Sequence, residues 1–129
     1  MKDVFVSHSK EDKGIAKKLV SKLETSGITC YVKQRDIKSG NEKKLIADSN
    51  IFILVLSSHS QESEEQIRQM KTAVEESCVI IPFRTGKTDT KLSTVYLLHS
   101  LEWVDPFEDG FDEAFEILLE IIEENSEGK

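Results

Sequence analysis

Short apolar runs alternate along this chain with stretches in which apolar residues recur every three or four positions. The run "DVFVS" (3–7) is short, β-branched and aromatic, which predicts a strand. Behind the turn "HSKED", Ile15, Leu19 and Leu23 fall on one helical face with Ala16 and Val20, and that helix ends near "TSG". Ser9, with Asp12 three residues on, reads as the helix cap. A second strand, "ITCYV" (28–32), leads into the polar loop "KQRDIKSGNEK" and a weak helical fragment, "EKKLIA". The run "NIFILVLS" (50–57) has the composition of a strand buried on both faces. A helix follows in "SSHSQESEEQIRQMKTAVEES", with Ile67, Met70 and Val74 expected on its inner side. "CVIIPF" (78–83) is a fourth strand and "LEWVD" (101–105) a fifth, edge-like one, separated by a loop with room for a short helix. The last helix begins near Gly110 and is expected to bury Phe111, Ala114, Phe115, Leu118 and Ile122.

Strands and helices in this alternation imply a parallel sheet covered on both faces. The expected fold class is α/β, a flavodoxin-like doubly wound five-stranded parallel sheet. No linker or repeat divides the 129 residues, so they read as a single domain (1–129), with a core over about 3–123 and a frayed acidic tail at 124–129. Ligand sites in such sheets gather at the carboxyl ends of strands. Here those ends are "SHSKED", "KQRDIKSG", "SSHSQES" and "FRTGKTD".

Charge narrows the chemistry. A formal net charge of −7 argues against nucleic acid as a partner, because phosphate neutralisation needs a basic face. No apolar run approaches the length of a membrane span, and the start "MKDVFV" enters structure without a signal-peptide pattern. Cys30 and Cys78, both in or beside apolar runs, read as buried free thiols in a reducing cytoplasm. His8, His59 and His99 are scattered, so no metal site is expected. Glycine-rich phosphate loops and the G-x-S-x-G elbow are missing from the sequence. Phospho-receiver chemistry needs acids where the first and third strands end on Ser7 and Ser57.

Five segments then stand in one order: "DVFVSHSKED", "GITCYVKQRDIKSG", "SNIFILVLSSHSQES", "VIIPFR" and "LEWVD". Together they resemble the TIR (Toll/interleukin-1 receptor) domain family, in particular its small bacterial antiphage, Thoeris-like members. The resemblance runs from Asp3 to about Phe115. It implies a five-stranded TIR fold with a flexible loop after the second strand. It also implies one of two activities. Many members cleave NAD+ at the nicotinamide–ribose bond, and some make cyclic ADP-ribose isomers or related nucleotides in defence against phage. Others are interaction modules that work by TIR–TIR self-association. For the enzymatic reading NAD+ is the substrate, no cofactor is needed, and the output is a diffusible nucleotide acting on a separate effector.

The enzymatic members rely on one carboxylate. Nicotinamide leaves readily as a neutral base, and the ribose passes through an oxocarbenium-like state that a nearby carboxylate stabilises. The family carries it as a glutamate on the helix after the third strand, in a pattern like S-E-x-x-x-x-E with an aromatic four residues before the last Glu. Laid on this chain, Ser63 and Glu64 take the first two positions, Glu65 falls on the aromatic and Gln69 on the catalytic glutamate. Three readings of Gln69 stay open at this point. It is an introduced, nearly isosteric Glu→Gln substitution, or a natural amide in a member that binds without turnover, or the register slips and Glu65 or Glu62 serves. The resemblance further places His8, Ser9 and Lys10 beside the adenosine and phosphates. It places Arg35, Asp36, Lys38, Ser39 and Gly40 along the loop that walls the substrate, with Gly40 permitting a turn. After Gly40 the second helix is shorter than in typical bacterial members. Trp103 and Asp105 match a Trp-x-Asp read as structural.

Overall fold

A computed structural model describes residues 3–32, 36, 38, 40–59, 63–86 and 103–125. Strand β1 (Val4–Ser7) leads through a 3-10 turn (Lys10–Asp12) into helix α1 (Lys13–Thr25) and then strand β2 (Cys30–Val32). Helix α2 (Glu42–Asp48), strand β3 (Ile51–Leu56), helix α3 (Glu64–Glu75) and strand β4 (Val79–Arg84) follow. A short helix α4 (Pro106–Asp109) and the long α5 (Phe111–Glu124) complete the described chain. All pairings are parallel, in the order β2-β1-β3-β4.

Side chains of a strand point alternately to its two faces, so each strand feeds two cores. Val4, Val6, Ile51, Ile53 and Val55 face α1 and α5, packing on Leu19, Leu23, Phe115 and Leu118. Phe5, Phe52, Leu54 and Leu56 face α2 and α3, where Leu45, Ile46, Met70 and Ala73 cover them. Phe5 and Phe52, opposite each other in register, stack with ring centroids 5.5 Å apart. Because β3 is central, all six of its residues are buried, as its unbroken apolar run required.

Two expectations are corrected. Among the described residues the sheet has four strands. Of the segment expected as the fifth, the described residues 103–105 hold a single parallel bridge, Val104 beside Phe83, and Pro106 starts a new helix directly after them. Asp105 then takes another role: its carboxylate caps α4 and binds the Arg84 guanidinium (Nη2–Oδ2 2.6 Å). Trp103 packs on the α2/α3 core, in keeping with a structural role.

The inner face of α3 is also rotated from the expected one. Gln66, Gln69, Met70 and Ala73 are buried, while Val74 is 59% exposed and Ile67 only half-buried. The buried four follow i, i+3, i+4, i+7 spacing, so the periodicity holds with a different set. Two amides occupy core positions because each finds polar partners there. Residues 87–102, which include the loop and short helix expected before the fifth strand, lie outside the described residues.

Candidate functional site

Strands β1 and β3 pair with Ser7 opposite Leu54, so their carboxyl ends lie side by side. Helix α3 is fixed against that end by Gln66. Its amide nitrogen donates to the carbonyls of Val55 (2.8 Å) and Ser7 (3.3 Å), joining both strands to the helix. The Gln66 amide oxygen, fully buried, has no hydrogen-bond partner among the described residues.

One turn along α3, Gln69 is 1% exposed and bonded at both ends. Its oxygen accepts from the Ser7 hydroxyl at 2.7 Å, and its nitrogen donates to Glu42 Oε1 at 3.0 Å. Glu42 opens α2 and receives a two-pronged bond from Arg68, with Nε–Oε2 at 3.0 Å and Nη2–Oε1 at 2.9 Å. These bonds hold the Arg68 guanidinium above its ordinary value, and the charges of Glu42 and Glu65 add to the effect. The result is a chain, Ser7–Gln69–Glu42–Arg68, crossing from a strand end to two helices.

A second cluster lies beside it. Asp12 accepts through Oδ2 from the hydroxyls of Ser9 (2.7 Å) and Ser57 (2.5 Å), tying the turn after β1 to the residue after β3. Ser9 therefore does not cap with its side chain, as the sequence suggested: its hydroxyl donates to a carboxylate, and its backbone oxygen accepts from Asp12 N. His8 is buried beside it, with Nδ1 donating to the Ser9 carbonyl at 2.7 Å. Lys10 is exposed on the 3-10 turn.

The loop residues are arranged around Asn41. Asp36 accepts from Val32 N at 2.9 Å, and its own carbonyl accepts from Asn41 Nδ2. Lys38 donates its backbone N–H to Asn41 Oδ1, and Gly40 turns the chain at φ +83°, a conformation costly for other residues. Glu65 is half-buried on α3. Arg35, Ser39 and Glu62 lie outside the described residues. Gln69 and Ser9 are thus brought to the same end of the sheet, while Lys38 and Gly40 are tied into a separate exposed turn.

Sequence reasoning passes over Glu42, Gln66, Asp12 and Ser7 as site components. The 66/69/70/73 stripe is the available signal for Gln66. Glu42 carries none, because its partners lie 26 and 27 residues away in sequence.

A TIR-domain family model matches residues 4–119. The chain belongs to the TIR-domain family. Among solved structures, the TIR fold here is similar to the TIR domain of the Toll-related receptor TRR-2 from Hydra magnipapillata. Identity is 25% and the TM-score 0.81, over 95% of this chain and 99% of that one. It also resembles the TIR domains of the activated Roq1 resistosome, which recognises the pathogen effector XopQ, at 17% identity and TM-score 0.73, covering 95% and 99% of the two chains. A metazoan TIR-STING receptor from C. gigas, in complex with 2',3'-cGAMP, aligns at 23% identity and TM-score 0.75, over 95% of this TIR domain and 39% of that chain. The last two likenesses concern the fold. No curated protein matches the sequence significantly. None of the described helices is long and apolar enough to cross a membrane.

Proposed function

We propose that this TIR domain binds NAD+ at the carboxyl ends of β1 and β3 and, with an amide at position 69, turns it over slowly. The observation that carries this reading is the 2.7 Å bond between Ser7 and Gln69, which sets residue 69 at the end of the first strand, where open parallel sheets bind ligands. NAD+ nucleosidase or signal-nucleotide synthase chemistry, as in antiphage TIR enzymes, belongs to a form with a carboxylate there. An amide oxygen still accepts hydrogen bonds from ribose hydroxyls but brings no full negative charge to the oxocarbenium-like state. Losing one such stabiliser costs on the order of 10²–10³ in rate. Asp12, Ser9 and His8 supply the polar wall that would face the rest of the dinucleotide, and Lys10 the exposed cation for its phosphates.

Saturation-transfer NMR with NAD+ tests the binding half. The reading expects transfer to both the adenine and nicotinamide ring protons, reduced by Asp12→Ala. Absence of transfer at millimolar NAD+ would sink it.

The second reading is an interaction module acting through TIR–TIR contacts without substrate. It is favoured by Gln69 being bonded at both ends and 1% exposed, a settled polar residue that needs no ligand. Sedimentation of the purified chain, with and without NAD+, separates the two: concentration-driven assembly indifferent to NAD+ supports this one.

A further inference from the structure

The orientation of the Gln69 amide is decided by Glu42. A carboxylate ionised against Arg68 can only accept, so the atom of residue 69 facing it has to be a donor. That places the amide nitrogen toward Glu42 at 3.0 Å and the oxygen toward Ser7, whose hydroxyl then donates at 2.7 Å. Each member of the chain fills one role, and an ionised glutamate at 69 cannot fill the role of donor. It would set two carboxylates about one hydrogen-bond length apart at a part-buried contact, which drives one of them towards its protonated form.

We infer that Glu42 is a positioning residue that selects an amide over a carboxylate at position 69, so that 42 and 69 form a matched pair holding the site in its low-turnover state. The negative charge is thereby displaced from the helix after β3 to the helix before it, and Arg68 keeps it there. The part of this inference that concerns turnover rests on the NAD+ reading above; the pairing itself does not. A consequence is that Gln69→Glu alone does not restore a working carboxylate. Exchanging the two, Glu42→Gln with Gln69→Glu, does: the carboxylate introduced at position 69 then accepts from the Ser7 hydroxyl and from the amide introduced at position 42.

The test compares the unmodified chain, Gln69→Glu, Glu42→Gln and the double exchange, by thermal unfolding at pH 7.5 and by nicotinamide release from NAD+. Gln69→Glu is expected to lower the midpoint by on the order of 5 °C, and the double exchange to recover at least half of that. Should Gln69→Glu fail to fold while the double exchange folds, the pairing is supported in its strongest form. Additive effects, or a Gln69→Glu protein as stable as the unmodified one, overturn it. Nicotinamide release is expected to rise roughly 10²-fold or more only in the double exchange. If Gln69→Glu alone releases it as fast, Glu42 does not silence the site and the inference fails. If the stability coupling appears but no variant releases nicotinamide, the pair stands and the NAD+ reading is the one that falls.

Discussion

Ser7 and Gln69, 62 positions apart in sequence, share a buried 2.7 Å hydrogen bond in which the serine donates and the glutamine oxygen accepts. It joins the end of the first strand to the second turn of α3. Removing the hydroxyl leaves a buried amide oxygen without a donor. Ser7→Ala is expected to destabilise the domain by ~1–3 kcal/mol in urea unfolding, more than loss of an exposed hydroxyl does. A change within experimental scatter of zero would mean the bond is not maintained in solution.

Gln66 makes a sharper case, because its nitrogen serves two carbonyls at once. Gln66→Glu would turn a carboxylate on both. Ionised, it repels them; protonated, it can donate to one. Its folded-state value is therefore raised, so the stability of this variant is greatest below the unfolded glutamate value of about 4.3 and is lost as pH rises through the folded value. The penalty relative to the unmodified domain should be small near pH 4 and full by pH 8. A penalty independent of pH would contradict the placement of the amide nitrogen.

Asp12 holds two hydroxyls from different segments, Ser9 and Ser57. Asp12→Ala is expected to cost ~1–3 kcal/mol and Asp12→Asn less, since the amide oxygen still accepts. Hydrogen exchange should quicken at His59 N, which donates to the Ser57 hydroxyl, in Asp12→Ala. Unchanged exchange there would show that Ser57 is held by something else.

Tyr31, on β2 beside the loop, has its phenol raised above the ordinary 10.0, first by burial and then by the charges of Asp48 and Asp36. The contribution of the neutral phenol to stability is fully present below pH 10 and is lost as pH rises through the folded-state value. Ultraviolet titration of the unmodified chain minus Tyr31→Phe should give a midpoint above 10, moved down by Asp36→Asn. A midpoint that Asp36→Asn leaves unchanged would remove Asp36 from the neighbourhood of the ring.

The α/β architecture is legible in the sequence because β1, β3 and β4 are apolar runs and α1 and α5 keep strict helical spacing; parallel pairing follows from the alternation alone. The face of α3 is misjudged from the sequence for a definable reason. Hydropathy places Val74 inside and two glutamines outside, whereas an amide with strand-end carbonyls and a serine to bond is at home in the interior. Of "LEWVD", the described residues 103–105 pair with β4 at Val104 alone, and Pro106, a local signal outweighed in the sequence by the apolar look of the segment, then starts α4. Gln69 stands out through its place in a family pattern. What the pattern does not reveal is Glu42, a carboxylate brought to the amide only by the folding of α2 against α3.

Calorimetric titration of NAD+ into the purified, unmodified chain, with nicotinamide measured in the same samples, tests the central claim most directly. The account predicts saturable binding with nicotinamide release roughly 10²–10³ slower than in the Glu42→Gln, Gln69→Glu exchange. Lack of binding by the folded protein, or release as fast with Gln69 as with the exchanged pair, would contradict it.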